Sequence, residues 1–440
     1  MYSSLVGSLL LAGCAFAWHP HERELDAFNL TKRYEKLGKR WDPWTKNLAA
    51  FNGITKIRGV NFGGWLIAEP WMVPDTWTRV LGCVQNVDLS EFDCMRNRYS
   101  GDQRAEGNDK FETHWSQYIT TDDVQQVFDV GLNTIRIPIG YWSLPDIVDS
   151  ASEPFADGSR MMPYLDNVVE KAAELGIYVI IDFHGAPGGQ QEDPFTGQNP
   201  HPAGFFNTYD FGRSYKWLQW MTNRIHTNSA YRTVGMLEVL NEPVSTHDAN
   251  GRYPAPGEDA NPGLTQTYYP QALDAIRQTE NNLGISDGDR LHVQFMSSKW
   301  GSGDPRSDST VSSDQWTAFD DHNYIGFGVS NAGDETTLMT SACNDVRAVP
   351  GQNFPITGEW SMTSGVDWNS DRTFFTNFFT AQQQLYEVPE IAGWVYWTWK
   401  TELNDPRWDY QVATQQGLIP KDAITLQNNV FQDVCSPYRS

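Results

Sequence analysis

Short apolar runs recur along the chain at Ile57–Asn61, Thr134–Pro138, Tyr178–Phe183, Gly235–Leu240, His292–Ser297, Ala318–His322, Pro355–Glu359 and Trp394–Trp399. Each has strand length, and helical patterns lie between them. In Pro163–Leu175 the apolar residues Leu165, Val168, Val169, Ala172 and Leu175 fall at helical spacing, and Gly176 ends the run. Asp122 is placed to cap a helix over Val124–Val130, with Gly131 as its C′ residue. Phe211–His226 and Pro270–Leu283 read as helices in the same way. Strand and helix in alternation are the mark of parallel βα units. Eight strands with helical crossovers predict an α/β fold, a (β/α)8 TIM barrel. An open doubly wound sheet is the competing architecture, but the Gly-rich phosphate loop that often marks it is absent.

No low-complexity tract, Ser/Thr-rich stalk or internal repeat divides the chain, so residues 41–440 are expected to form one domain. The N-terminus has another character. Leu5 to Phe16 is apolar but too short to span a bilayer, and Ala15-Phe16-Ala17 offers a small-x-small cleavage site, which predicts a signal peptide over 1–17. Residues 18–40 lack strand or helix periodicity and end in the dibasic pair Lys39-Arg40, so they are expected to form a propeptide removed after Arg40. An ordinary charged arm would look similar. No transmembrane segment or anchor signal follows, and the expected product is a secreted, extracellular, soluble protein, by default a monomer.

Cysteine usage suits that compartment. Cys14 lies in the leader, leaving Cys83, Cys94, Cys343 and Cys435, which allow three pairings. Cys83 with Cys94 would close a short local loop, and Cys343 with Cys435 would then tie down the C-terminal tail. The single Asn-x-Ser/Thr site, Asn29, falls inside the expected propeptide. The formal charge is −23. Loss of residues 18–40 removes six Lys/Arg and four Asp/Glu, a net +2, and leaves −25. Such a surface excludes nucleic acid as a partner and does not repel a neutral polymer. With 18 Trp and 18 Tyr there are more rings than a core usually needs, and exposed rings stack on sugar faces.

Reactive groups of a (β/α)8 barrel sit at the C-terminal ends of its strands. Those ends carry Asn61 and Glu69, Arg136, His184, Asn241-Glu242-Pro243, His322 with Tyr324, Glu359 and Trp397. Singly, each has an ordinary explanation: a strand-end glutamate is usually solvated, a lone histidine usually a core residue, and Asn-Glu-Pro often a turn. Together they supply what glycoside hydrolysis with retention requires, a nucleophile and a proton donor about 5–5.5 Å apart. Glu242 as acid/base and Glu359 as nucleophile would face each other across the barrel mouth. Arg136 would keep Glu359 ionised, Tyr324 would donate to it, Asn241 would reach the sugar 2-OH and Trp397 would floor the sugar ring.

Several stretches resemble glycoside hydrolase family 5. They are Ile57-Arg58-Gly59-Val60-Asn61-Phe62-Gly63-Gly64-Trp65 with Glu69-Pro70-Trp71, then Asp182-Phe183-His184-Gly185, Asn241-Glu242-Pro243 and Gly358-Glu359-Trp360. The resemblance implies the barrel, a retaining mechanism and no metal or organic cofactor. It implies Glu242 as acid/base and Glu359 as nucleophile, with Arg136, His184, Asn241, His322, Tyr324 and Trp397 around them. It also implies a sugar-binding role for Glu69. Gly-Gly-Trp and Glu-Pro-Trp are shared with fungal exo-β-1,3-glucanases, but the loop Gly185–Asp193 departs from the Asn-Gly loop of those enzymes. Phe211–Met221 and Val234–Glu238 resemble the fungal endo-β-1,6-glucanases instead, which makes a β-1,6-glucan the expected substrate and a β-1,3-glucan the alternative.

Other classes fit less well. A non-catalytic cell-wall carbohydrate-binding protein would share the aromatics but need neither glutamate. A metalloenzyme would want His-Glu-x-x-His or paired-cysteine spacing, and a serine hydrolase a Gly-x-Ser-x-Gly elbow that Gly301-Ser302-Gly303 does not provide.

Overall fold

The computed structural model describes residues 56–244, 261 and 263–439. The expected leader and propeptide, with Asn29, lie outside the described residues. Strands form where the apolar runs lie: β1 Ile57–Asn61, β2 Thr134–Gly140, β3 Tyr178–Gly185, β4 Val234–Glu238, β5 His292–Met296, β6 Thr317–His322, β7 Pro355–Glu359 and β8 Gly393–Tyr396. All pair in parallel in chain order, and β8 bonds back to β1. The result is a closed (β/α)8 barrel, whose strands are buried throughout because helices cover the outside.

Alternation along each strand separates two cores. Ile57, Tyr178, Ile180, Met236, Ala318, Ile356 and Val395 pack against one another from different strands, so they fill the barrel interior. Their neighbours Ile135, Val179, Ile181, Leu237, Val293 and Phe319 join the larger core under the helices.

Several strand ends differ from the apolar runs: β2 runs on to Gly140, past Pro138, and β4 stops at Glu238, short of Leu240. β8 stops at Tyr396 because the next amides bond to loops, Trp397 N to Trp360 O and Thr398 N to Trp408 O. β3 continues to Gly185, two residues past its expected end, paired with Gly140 of β2.

The helices also follow their sequence signals, with one correction. The helix after residue 120 spans Thr121–Asp129, and its cap is Thr120, not Asp122. Asp123, at the third helical position, accepts the Thr120 amide at 2.9 Å, a bond that a cap at Asp122 could not form. Gly176 (φ +70°) closes the helix Met162–Leu175 in the left-handed region, as expected of that glycine. The helix Thr208–Thr227 starts one turn earlier than its apolar run because Asn207 caps it, accepting from the amides of Tyr209 and Asp210 at 3.0 Å.

Disulfides join Cys83 to Cys94 and Cys343 to Cys435, the latter tying the C-terminal segment to the helix Glu335–Asn344. Among the described residues no helix is long and apolar enough to cross a membrane.

Candidate active site

The inward face of the barrel changes from apolar to charged toward its C-terminal rim. On β3 the alternating positions run Tyr178, Ile180, Asp182, His184, and on β6 they run Ala318, Asp320, His322. Glu359 is the last residue of β7. Its carboxylate accepts from Arg136 Nη1 at 3.0 Å and from the Tyr324 hydroxyl at 2.8 Å. Gly358, just before it, has to be glycine: a Cβ there would lie 2.1 Å from Asp320 Oδ1, which accepts the Gly358 amide at 2.7 Å.

Glu242 follows β4 with φ +40°, a left-handed conformation that costs a non-glycine residue on the order of 1–3 kcal/mol and is typical of functional sites. Its Oε1 lies 2.6 Å from His322 Nδ1. An oxygen of Glu242, a ring nitrogen of His322 and an oxygen of Glu359 all lie within 4.8 Å of one another. The two carboxyl groups therefore stand close together, at the short separation that direct attack of a carboxylate on a sugar requires.

Beneath this pair Arg136 is fully buried among four carboxylates: Glu238 at 2.8 Å, Glu359 at 3.0 Å, Asp182 at 3.1 Å and Asp320 at 3.6 Å. Burial opposes its charge, but these carboxylates hold it protonated. Burial pushes the Glu238 carboxyl well above the usual range despite Arg136, with Asp320 and Asp182 adding to the rise. Burial would also lower His322, yet Glu359 and Asp320 raise it well above an ordinary histidine. The site thus holds two cations, Arg136 and His322, against Glu359. Burial and Glu242 raise the Glu359 carboxyl, while His322 and Arg136 pull it down, and the net shift is upward.

Asn241 accepts from Arg136 Nη2 at 2.7 Å through its Oδ1, which leaves its amide N–H groups free to donate into the cleft. His184 pairs with Asp182 at 2.6 Å and stacks on Trp397, rings 5.6 Å apart and 9° from parallel. Glu69 is buried and accepts from the Trp71 indole at 2.8 Å. Burial first, and then Asp193, Glu359 and Glu242, push its carboxyl up to about 8, although the Trp71 bond opposes the rise. Asn61 accepts from Arg136 Nη1 at 2.9 Å, so the ten residues picked out at the strand ends, Pro243 apart, gather at one rim.

Some of the site is not evident in the sequence. Asp182, Glu238 and Asp320 form the buried layer under Arg136; charged residues at inward positions of apolar strands are the signal for them. Asp193 and Gln190 come from the loop after β3. Trp408 lies edge-on to Trp71 at 5.3 Å and also meets Tyr324 and the exposed Phe327, extending an aromatic surface outward from the carboxylates. Glu242, His322 and Glu359 offer three atoms at metal-ligand spacing, but Glu359 is already engaged by Arg136 and Tyr324.

Comparison with known proteins decides the family. Cellulase (glycosyl hydrolase family 5) matches residues 100–402, more than half of the chain. The chain belongs to glycosyl hydrolase family 5. This family 5 member is 41% identical over 405 residues to glucan endo-1,6-beta-glucosidase B of Emericella nidulans, covering 90% of each chain. It is 28% identical over 427 residues to probable glucan 1,3-beta-glucosidase A of Aspergillus fumigatus, covering 88% of this chain and 91% of the other. Among solved structures, the rutinosidase from Aspergillus niger superposes with TM-score 0.63 at 20% identity, over 82% of this chain and 97% of that one. This likeness speaks for the barrel alone. The family 5 span begins before β2 and ends after β8, so it includes every strand-end candidate except Asn61 and Glu69.

Proposed function

We propose that this glycoside hydrolase is a retaining endo-β-1,6-glucanase, with Glu359 as nucleophile and Glu242 as general acid/base. The observation that carries the mechanism is the close approach of two carboxyl groups with different partners. Glu359 faces a guanidinium and a phenol, which favour the ionised form. Glu242 is bonded to the His322 ring and is the more exposed of the two carboxyl groups, open to the leaving-group side. The linkage rests on the relatives: 41% identity to an endo-1,6-glucosidase against 28% to a 1,3-glucosidase.

In the first half of the reaction a Glu359 oxygen attacks C1 while the Glu242 carboxyl gives its proton to the glycosidic oxygen. The C1–O bond breaks and the leaving sugar departs as an alcohol. In the second half Glu242, now ionised, takes a proton from water as the oxygen attacks C1 and expels Glu359, restoring both groups. Asn241 donates to the 2-OH, Trp397 lies under the ring, and Glu69 takes hydrogen bonds from sugar hydroxyls. Arg136 and His322 stabilise the Glu359 carboxylate whenever it is free.

The substrate is a β-glucan polymer, bound by a monomer. Two disulfides fit an oxidising, extracellular setting, reached by way of a leader at 1–17 and a propeptide at 18–40. The purified protein is incubated with linear β-1,6-glucan and, separately, linear β-1,3-glucan, and product sizes are followed over time. A ladder of β-1,6 oligosaccharides, abolished by Glu359→Gln, is expected. Single glucose units from the β-1,3 polymer would instead make it an exo-β-1,3-glucanase. Release from neither would overturn both linkages, and inertness toward all β-glycans would favour a non-catalytic binder.

A further inference from the structure

The loop after β3 contains a buried glutamine whose side-chain amide is bonded at both its nitrogen and its oxygen on the catalytic rim. Gln190 is fully buried. Its Nε2 donates to His184 O at 2.7 Å and to Asn241 O at 2.9 Å, and its Oε1 accepts from the Ala186 amide at 3.1 Å. Its own carbonyl accepts from the Val244 amide at 2.9 Å. The orientation of the side-chain amide is fixed by chemistry, because two carbonyls can face only N–H groups and an amide N–H can face only the oxygen.

These bonds enclose the segment 241–244 from both sides. Asn241 O is the carbonyl of the peptide that leads into Glu242, and Val244 N lies two residues beyond it. Between them Glu242 holds φ +40°, a conformation that its own side chain does not favour. Among the described residues the other backbone bond to residue 241 is Asn241 N to Phe183 O at 3.1 Å, which fixes the strand side but not the turn. Gln190 also spans the end of β3, and the stack of His184 on Trp397 starts from that end.

We propose that Gln190 is a positioning residue that clamps the peptide around Glu242 and so sets the direction in which its carboxyl delivers a proton. This proposal rests on Glu242 being the acid/base. Gln190 touches no substrate; it acts through the backbone of residues 241–244. Displacing a catalytic group by about 1 Å can cost on the order of a hundredfold in rate, so loss of the clamp falls on proton transfer specifically.

The test is Gln190→Glu, which keeps the shape but offers at most one donor to the two carbonyls, measured beside Glu242→Ala on aryl β-gentiobiosides and on β-1,6-glucan. A phenyl leaving group needs protonation, whereas a 2,4-dinitrophenyl group does not. Gln190→Glu is expected to lower kcat/KM about ten- to a hundredfold on the phenyl substrate and on glucan. It should leave kcat/KM on the dinitrophenyl substrate within about threefold, because the first step there bypasses the acid. On that substrate kcat falls, since the second step still needs the base, and added azide restores it by replacing water. Equal losses on both aryl substrates, or none, would overturn the proposal. If Glu242→Ala lacks this leaving-group pattern, it is the acid/base assignment that fails, separately from Gln190. Thermal melting checks that the variant is folded, and Gln190→Asn, whose amide cannot reach both carbonyls, is measured the same way if it is not.

Discussion

Glu359 is where the charges of the site compete, and its titration is the most readable consequence. Burial raises its carboxyl above the ordinary value, with His322 and Arg136 opposing. In the proposed mechanism the ionised form is the nucleophile, so activity is expected to be lost on acidification as Glu359 takes up a proton, and an upward shift moves that loss to higher pH. The acid limb of kcat/KM against pH is therefore expected to lie above about 4.3, the value of an unperturbed glutamate. Tyr324→Phe removes the phenol that donates at 2.8 Å, and the limb should move further up while activity falls by about ten- to a hundredfold. A limb at or below the unperturbed value, or one indifferent to Tyr324, would mean that a different group governs it. Arg136 is a separate case. It is the cation that four buried carboxyl groups surround, so Arg136→Met is expected to cost about 3–5 kcal/mol of stability as well as activity, read by denaturant unfolding.

At the scale of elements, the short helix Glu91–Arg98 contains a second buried acid. Glu91 accepts from the Ala68 amide at 2.7 Å, and burial pushes its carboxyl up to about 8. The folded protein holds this proton more tightly than the unfolded chain, so the stability it confers is full below about 4.3 and is lost as pH rises through 8. The melting temperature should fall between pH 5 and pH 8, and Glu91→Gln, which cannot ionise, should flatten that fall. An unchanged slope would show that Glu91 is ionised in the fold. The Cys343–Cys435 bond spans 92 residues, a loop whose closure in the unfolded chain corresponds to about 4–5 kcal/mol. Cys343→Ala with Cys435→Ala should lower the melting temperature with little effect on kcat, because the bond lies away from the carboxylates.

The same scale shows what the sequence carried. The strands and most helices were legible because their signals are local: apolar runs of strand length, and glycines such as Gly176 at a helix end. The cap at Thr120 was legible too, in the Thr-x-x-Asp spacing to Asp123, but Asp122 competes for it when residues are weighed singly. The strand-end residues from Glu69 to Trp397 could be gathered once eight strands implied a barrel. Gln190, Asp193 and Trp408 could not, since what brings each to the rim is a distant partner: Asn241 for Gln190, Glu69 for Asp193 and Trp71 for Trp408. Gly358 is similar: only the Asp320 carboxylate beside it explains why no side chain fits there.

For the whole molecule, the strands deliver the proposed acid, the proposed nucleophile and their supporting charges to one rim, and the aromatic surface from Trp71 through Trp408 to Phe327 lies beside it. The acidic surface, −23 over the full chain, is compatible with a neutral glucan and leaves specificity to the cleft. The central claim is a covalent glycosyl-enzyme formed on Glu359. Its most direct test is to react the protein with a 2-deoxy-2-fluoro-β-gentiobioside that carries a dinitrophenyl leaving group, which slows the second step and traps the intermediate. The labelled protein is then digested and mapped by mass spectrometry. The account predicts one sugar equivalent on the peptide containing Glu359, and none when Glu359 is changed to Gln. A label on any other carboxylate, or complete turnover with no covalent species, would contradict it.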